Sequence, residues 1–330
     1  PLFKSKITRT ILPGEDYIPV TGKIIDETDV LMGIEATMDA WLTAGRFSAI
    51  FERDFANTTV VDQATAAVVS SWNGTAFAVD ELVTGATSGI GESFTRLLAA
   101  KGFNLVLVAR DEARLHERAV GLKEKFGAES VVIVADLATE AGCAKVEDYI
   151  RANEIEVLIN NAGFGINKAF TMSDLAKEEE VLKVLVRTPM RLMHVALPGM
   201  KERNSGIVLN VSSVASFIAG GAYSASKAYL TVLSESLSTE LSATNIKVCA
   251  LCPGFTRTEF HQRGRMKMAG LPNFMWLDSD FLVAKAWKDA ISDKPVSVPG
   301  WQYKTLVGII SLAPRSIVRR LGMNLRVKQR

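Results

Sequence analysis

From about Leu82 onward the chain repeats one unit, a short apolar run followed by a stretch long enough for a helix. Residues 104–109, 130–135, 155–159, 206–211 and 246–251 are such runs, rich in Val, Ile and Leu. They stay apolar instead of alternating with polar residues, as strands buried on both faces do. A sheet buried on both faces is a parallel sheet covered by crossover helices. Residues 91–101 and 178–197 have the pattern of two such helices. The expected fold is therefore α/β, a doubly wound, Rossmann-like parallel sheet. Hydrophobic residues make up 48% of the 330, enough for the core that this fold needs.

The turn after the first expected strand reads Thr84-Gly85-Ala86-Thr87-Ser88-Gly89-Ile90-Gly91. Glycine permits a tight turn and lets backbone approach a pyrophosphate, and a helix N-terminus supplies N–H donors and a favourable dipole. The spacing is G-x-x-x-G-x-G, not G-x-G-x-x-G. Gly85, Thr87, Ser88, Gly89, Ile90 and Gly91 are candidate cofactor contacts, and a plain strand–helix turn is the alternative. Arg110 ends the second strand, where such folds meet the adenosine ribose. Arg suits a 2′-phosphate, whereas a carboxylate would select a free hydroxyl, so NADP is favoured over NAD. A solvated strand-end Arg is the other reading, and Asp111 beside it leaves the choice open. Asp136 and Leu137 end the third strand within reach of an adenine, and Asp136 reads equally well as a loop cap.

Tyr223-Ser224-Ala225-Ser226-Lys227 places a phenol and an ammonium on one helix face at i, i+4. A phenol titrates near 10, and a neighbouring cation lowers that value enough for proton exchange with a reacting oxygen. Taken alone, the pair also occurs on ordinary helix surfaces.

With these blocks in order, residues 82 to about 300 resemble the short-chain dehydrogenase/reductases. The matching blocks are the glycine turn, Asn160-Asn161-Ala162-Gly163, Ser212-Ser213 ahead of Tyr223-x-x-x-Lys227, and Pro253-Gly254-Phe255-Thr256-Arg257-Thr258. The resemblance implies that Tyr223 is the acid/base and that Lys227 lowers its pKa and bonds the nicotinamide ribose. It also implies that Ser213 holds the substrate oxygen. Asn161, Ala162 and Gly163 would line the cofactor cleft, with Pro253, Gly254, Thr256 and Thr258 near the nicotinamide. The glycine spacing is similar to that of the simple reductases rather than the sugar epimerase branch. Three departures bear on turnover more than on fold. Leu185 stands where the family has an Asn that relays protons. The Ser213 to Tyr223 spacing is about three residues short, and a misplacement of an ångström costs on the order of a hundredfold in rate. The first strand carries Asp80 and Glu81, whose burial is costly unless partnered.

The expected organisation is an N-terminal appendage over 1–56, a connector over 57–81, an oxidoreductase domain over 82–302 and a basic helical tail over 303–330. In the front segment, residues 17–27 (Tyr17-Ile18-Pro19-Val20-Thr21-Gly22 and onward) and 41–47 resemble the start of the PLP-dependent sugar aminotransferases and dehydrases. That match stops near Ala56, too short for a PLP-binding domain, so a fused remnant without PLP is expected. A chance likeness is the alternative. After the Pro253-Gly254 block, Phe260, Met266, Met268, Leu271, Phe274, Met275, Trp276 and Leu277 offer an adaptable apolar wall. A lipophilic ketone, aldehyde or secondary alcohol is the expected substrate, with ordinary lid packing as the other reading. The tail joins apolar residues 306–310 to Arg315, Arg319, Arg320, Arg326, Lys328 and Arg330. It forms either a weak contact with an anionic membrane surface or the solvated face of a docking helix.

Lys plus Arg number 38 against 36 Asp plus Glu, which gives no global case for a nucleic-acid partner. Cys249 and Cys252 lie in a strand pattern that puts them on opposite faces, and His116, His194 and His261 are scattered, so no metal site is expected. Pro1-Leu2-Phe3-Lys4 opens no apolar signal core and no run reaches the length of a membrane span, so a reducing cytoplasm, with peripheral membrane contact through the tail, is expected. A homo-oligomer is compatible with the pattern. The leading expectation is an NADP-dependent oxidoreductase. Leu185 and the shortened loop motivate the competitor, a catalytically weakened dinucleotide-binding sensor or scaffold.

Overall fold

Seven parallel strands in the order β3-β2-β1-β4-β5-β6-β7 form the sheet of the computed structural model, which describes residues 80–166, 168–260, 272–314, 316 and 318. The strands are β1 (Asp80–Thr84), β2 (Asn104–Ala109), β3 (Ser130–Val134), β4 (Ile155–Asn160), β5 (Gly206–Val211), β6 (Ile246–Leu251) and β7 (Val296–Ser297). The order reverses direction at β1 and β4, so a crevice opens at their C-terminal ends. The front segment, including its expected PLP-family remnant, and the basic residues from Arg319 onward lie outside the described residues.

The crossover helices are α1 (Gly89–Ala100), α2 (Glu112–Phe126), α3 (Glu140–Ala152), α4 (Leu175–Leu182), α5 (Thr188–Arg203), α6 (Ala222–Glu240) and α7 (Ser279–Ile291), and α8 (Trp301–Leu312) follows β7. One face of the sheet buries Leu82, Val106, Leu158 and Val208 against Val146 and Ile150 of α3, Leu192 and Met200 of α5, and Leu230 of α6. On the other face α1 packs against α7 and α2. The caps explain where several helices start: Asp111, Thr139, Asp174 and Asp278 each accept a backbone N–H of the first turn. Asp111, which left the cofactor choice at Arg110 open, is a helix cap that accepts the Arg114 N–H.

The expected single helix over 178–197 is three pieces, α4, a π-helical turn at Lys183–Arg187, and α5. A π turn holds one residue more than α geometry allows, and apolar spacing does not reveal it. Leu185 sits inside this turn, fully buried.

Asp80 and Glu81 both enter β1 and are buried. Asp80 accepts a 2.5 Å hydrogen bond from the Tyr149 hydroxyl. Neither carboxyl oxygen of Glu81 has a partner in good hydrogen-bond geometry, the Val157 backbone N–H giving only a weak pull, and the side chain is 0% exposed. Burial, followed by the nearby Glu156 and Asp80, pushes its pKa well above the usual carboxylate value.

Candidate active site

The glycine turn is stitched to the end of β4 by Thr84. Its Oγ1 donates to the Ile159 carbonyl at 3.2 Å and accepts from the backbone N–H of Asn161 at 2.9 Å and of Ala162 at 3.0 Å. Asn161 Nδ2 returns hydrogen bonds to the carbonyls of Thr84 (2.9 Å) and Gly85 (3.1 Å). Thr84 escaped the candidate residues, although its place directly before the first glycine was the available signal.

The turn has no room for side chains at its three glycines. Gly85 and Gly89 adopt φ of +66° and +57°. A Cβ on Gly91 would lie 2.2 Å from the Gly85 carbonyl oxygen, and one on Gly89 would lie 2.9 Å from Thr258. Gly91 is therefore a packing residue beneath the turn rather than a wall of the cleft. No side chain caps α1 at Ser88, so its first N–H groups face the loop.

A cleft of about 1090 Å³ opens above this turn at the carboxyl ends of the strands. Gly85, Thr87, Ser88, Gly89, Ile90, Arg110, Asp136, Leu137, Asn161, Ala162 and Gly163 line it. Ser213, Tyr223, Lys227, Pro253, Gly254, Thr256 and Thr258 line it as well. Arg110 is exposed at the rim, near enough to Lys177 for their charges to repel. Asp136 lines the cleft, and its carboxylate accepts the Ala138 N–H at 3.0 Å, which is the loop-capping role.

Tyr223 lies in the first turn of α6, and Lys227 follows one turn later on the same face. Ser213 Oγ accepts the Ala215 N–H at 3.1 Å, which leaves its own O–H to donate. That hydroxyl stands near enough to Tyr223 to favour its phenolate, so the shortened loop still brings Ser213 and Tyr223 together. Burial pushes the Tyr223 phenol up to about 12, and the Ser213 hydroxyl pulls it the other way. Lys227 is 4% exposed; its Nζ donates to the Val211 carbonyl at 2.5 Å and stands 5.8 Å from the Tyr223 ring centroid. Burial pushes Lys227 down to about 8. The Lys227 headgroup turns to a backbone carbonyl, and the Ser213 hydroxyl favours the phenolate against burial.

Leu185 packs with Val181 and Val184 in an apolar cluster that Ala162, Phe164, Ile166 and Tyr223 join. A void of about 10 Å³ touches both Leu185 and Lys227, and Leu185 presents no polar atom to it.

Of the expected substrate wall, Phe260 and Met275 line the cleft, and the Phe260 ring lies 6.0 Å from that of Tyr223. Phe274 is exposed, Trp276 packs on Phe255, and Leu277 is buried beside Thr256. Met266, Met268 and Leu271 lie outside the described residues. The helix α8 supplies what the sequence did not indicate. Leu306 and Ile310 line the cleft, and the Tyr303 ring fills the space where a Gly254 side chain would stand, 2.0 Å from an added Cβ. Tyr303 Oη accepts the Phe255 N–H at 3.0 Å and donates to the Met275 carbonyl at 2.5 Å, pinning the Pro253-Gly254 loop.

The family model of the short chain dehydrogenases matches residues 81–269. A short-chain dehydrogenase from Sphingobium yanoikuyae, solved in complex with NADPH, is 31% identical, covering 72% of this chain and 96% of its own, with a TM-score of 0.65. A bulky-bulky ketone specific alcohol dehydrogenase from Comamonas testosteroni is 30% identical, covering 72% of this chain and 96% of its own, with a TM-score of 0.61. A very-long-chain 3-oxoacyl-CoA reductase of Rattus norvegicus is 31% identical over 185 residues, covering 54% of this chain and 59% of that relative's length. The chain thus spans about three-fifths of the length of that curated relative.

Proposed function

Because the chain belongs to the short chain dehydrogenase family, we propose that it is an NADP-dependent oxidoreductase acting on a lipophilic ketone, aldehyde or secondary alcohol. One observation carries the reading. The Ser213–Tyr223 pair shares one cleft with the glycine turn, with apolar side chains and with a guanidinium at the rim. The residues fit a dinucleotide. Gly85 and Gly89 leave room for a pyrophosphate beside the open N-terminus of α1, Gly91 packs beneath them, and Arg110 suits a 2′-phosphate. When bound, the nicotinamide supplies or accepts the hydride at the substrate carbon.

The chain's own residues handle the oxygen. In reduction the Ser213 hydroxyl donates a hydrogen bond to the developing alkoxide, and Tyr223 delivers the proton that completes the alcohol. In oxidation the phenolate takes the alcohol proton back. Buried Lys227, held by Val211, fixes the floor beneath both groups. Phe164, Ile166, Phe260, Met275, Leu306 and Ile310 form an apolar enclosure that suits lipophilic carbonyl compounds. The names of the relatives, one for bulky ketones and one for a 3-oxoacyl-CoA, agree with that class.

The purified chain is expected to consume NADPH with members of a panel of lipophilic ketones and aldehydes, read by loss of NADPH absorbance. Tight NADPH binding with no turnover on any of them would count for the sensor or scaffold instead. Arg110→Ala is expected to weaken NADPH binding about tenfold or more while leaving NADH binding little changed, as the loss of a charge-assisted phosphate contact requires. An unchanged NADPH-to-NADH ratio would remove Arg110 from the cofactor assignment.

A further inference from the structure

α8 is apolar on two sides. Tyr303, Leu306 and Ile310 face the cleft and its loop. The opposite side carries Trp301, Ile309 and Leu312, which are 74%, 62% and 90% exposed. Phe274 is 61% exposed next to them, its carbonyl accepting a 3.0 Å hydrogen bond from Gln302 of the helix. At 3.6 residues per turn, positions 301, 305, 309 and 312 fall on one stripe, so the exposure is a continuous face.

The charge distribution matches this face. Residues 301–330 hold seven Lys or Arg and no Asp or Glu, whereas the preceding 300 residues hold 31 of the 38 basic residues and all 36 acidic ones. The net charge of +2 thus conceals an acidic body and a wholly basic end. An exposed Trp and aliphatic side chains suit the boundary between headgroups and acyl chains, and clustered cations suit anionic lipid phosphates. A second copy packed on this face would pair two segments that hold Lys and Arg but no Asp or Glu, and like charges would oppose it.

We propose that the outer face of α8 docks on an anionic phospholipid membrane, the basic composition of residues 301–330 favouring the anionic headgroups. The proposal stands apart from the cofactor and substrate assignments, because no residue of the outer face lines the cleft. Its consequence for the site is positional. Leu306 and Ile310 sit on the same helix, so docking holds these apolar residues of the cleft beside the lipid.

The test is co-sedimentation of the full chain with vesicles of phosphatidylcholine alone or of phosphatidylcholine mixed with phosphatidylserine. Binding to the anionic vesicles is expected to be at least about tenfold tighter and to weaken as salt rises. The variant Trp301→Ala/Ile309→Ser/Leu312→Ser and, separately, Arg319→Glu/Arg320→Glu should each lower it about tenfold or more. Both should leave NADPH binding and the thermal melting curve unchanged. Three results would overturn the proposal: no preference for anionic vesicles, full binding by both variants, or a face that joins copies. The last would show as a fall in sedimentation mass in the triple variant without vesicle binding by the parent.

Discussion

Tyr223→Phe removes one oxygen atom and is expected to lower kcat for carbonyl reduction by about 10²–10⁴-fold, the usual worth of a positioned general acid. NADPH affinity should be unaffected, because the substitution leaves the glycine turn and the Arg110 rim intact. The two directions should also differ in pH dependence. Reduction needs the protonated phenol, and a phenol pushed up to about 12 stays protonated through the neutral and mildly alkaline range. Proton delivery should therefore not limit reduction there. Oxidation needs the phenolate, whose fraction rises about tenfold for each pH unit below that value, so oxidation should climb with pH. Steady-state rates in both directions across this range decide the matter. A Tyr223→Phe enzyme that retains full turnover would show that another group moves the proton.

Glu81→Val should stabilise the protein by roughly 2–3 kcal/mol at neutral pH, the order of cost for burying a polar group without a partner. For a domain of this size that is a rise of roughly 4–10 °C in melting temperature. The direction with pH follows from the raised pKa. The folded state holds the Glu81 proton more tightly than the unfolded chain does. The parent therefore loses stability as pH rises above the ordinary carboxylate value, at up to about 1.4 kcal/mol per unit, until the folded-state pKa is passed. The advantage of Glu81→Val should accordingly be smaller near pH 5 and larger near pH 8. Glu81→Gln separates the two costs, because it removes the ionisation and keeps an unpaired polar group. Chemical denaturation of the three proteins at several pH values measures this. A less stable Glu81→Val would mean that the carboxyl has a favourable role in β1.

The strands were legible because burial on both faces leaves continuous apolar runs, and residues 104–109, 206–211 and 246–251 form strands with those bounds. The glycine turn was legible because its steric demand is local, visible as positive φ at Gly85 and Gly89. Other features depend on contacts distant in sequence and leave no local trace. Tyr303 reads as one aromatic in an apolar tail until its ring is seen seated on Gly254. The π turn at Leu185 keeps a helical composition while shifting the phase of α5. Asp80 and Glu81 were recognised as a conflict, but which of them found a partner depended on Tyr149 of α3.

Asn160 and Asn210 face each other in register on β4 and β5, joined by a 2.8 Å hydrogen bond, and Asn210 reaches Ser234 of α6 at 2.9 Å. Asn160 precedes Asn161, the clamp on the glycine turn, and α6 carries Tyr223 and Lys227. This buried polar thread works as a keyed joint. A slip of one residue between β4 and β5 would strand two amides in the apolar core, an error of several kcal/mol. The distance between the cofactor cradle and the proton donor is thereby indexed in whole residues, with no intermediate setting for thermal motion to sample.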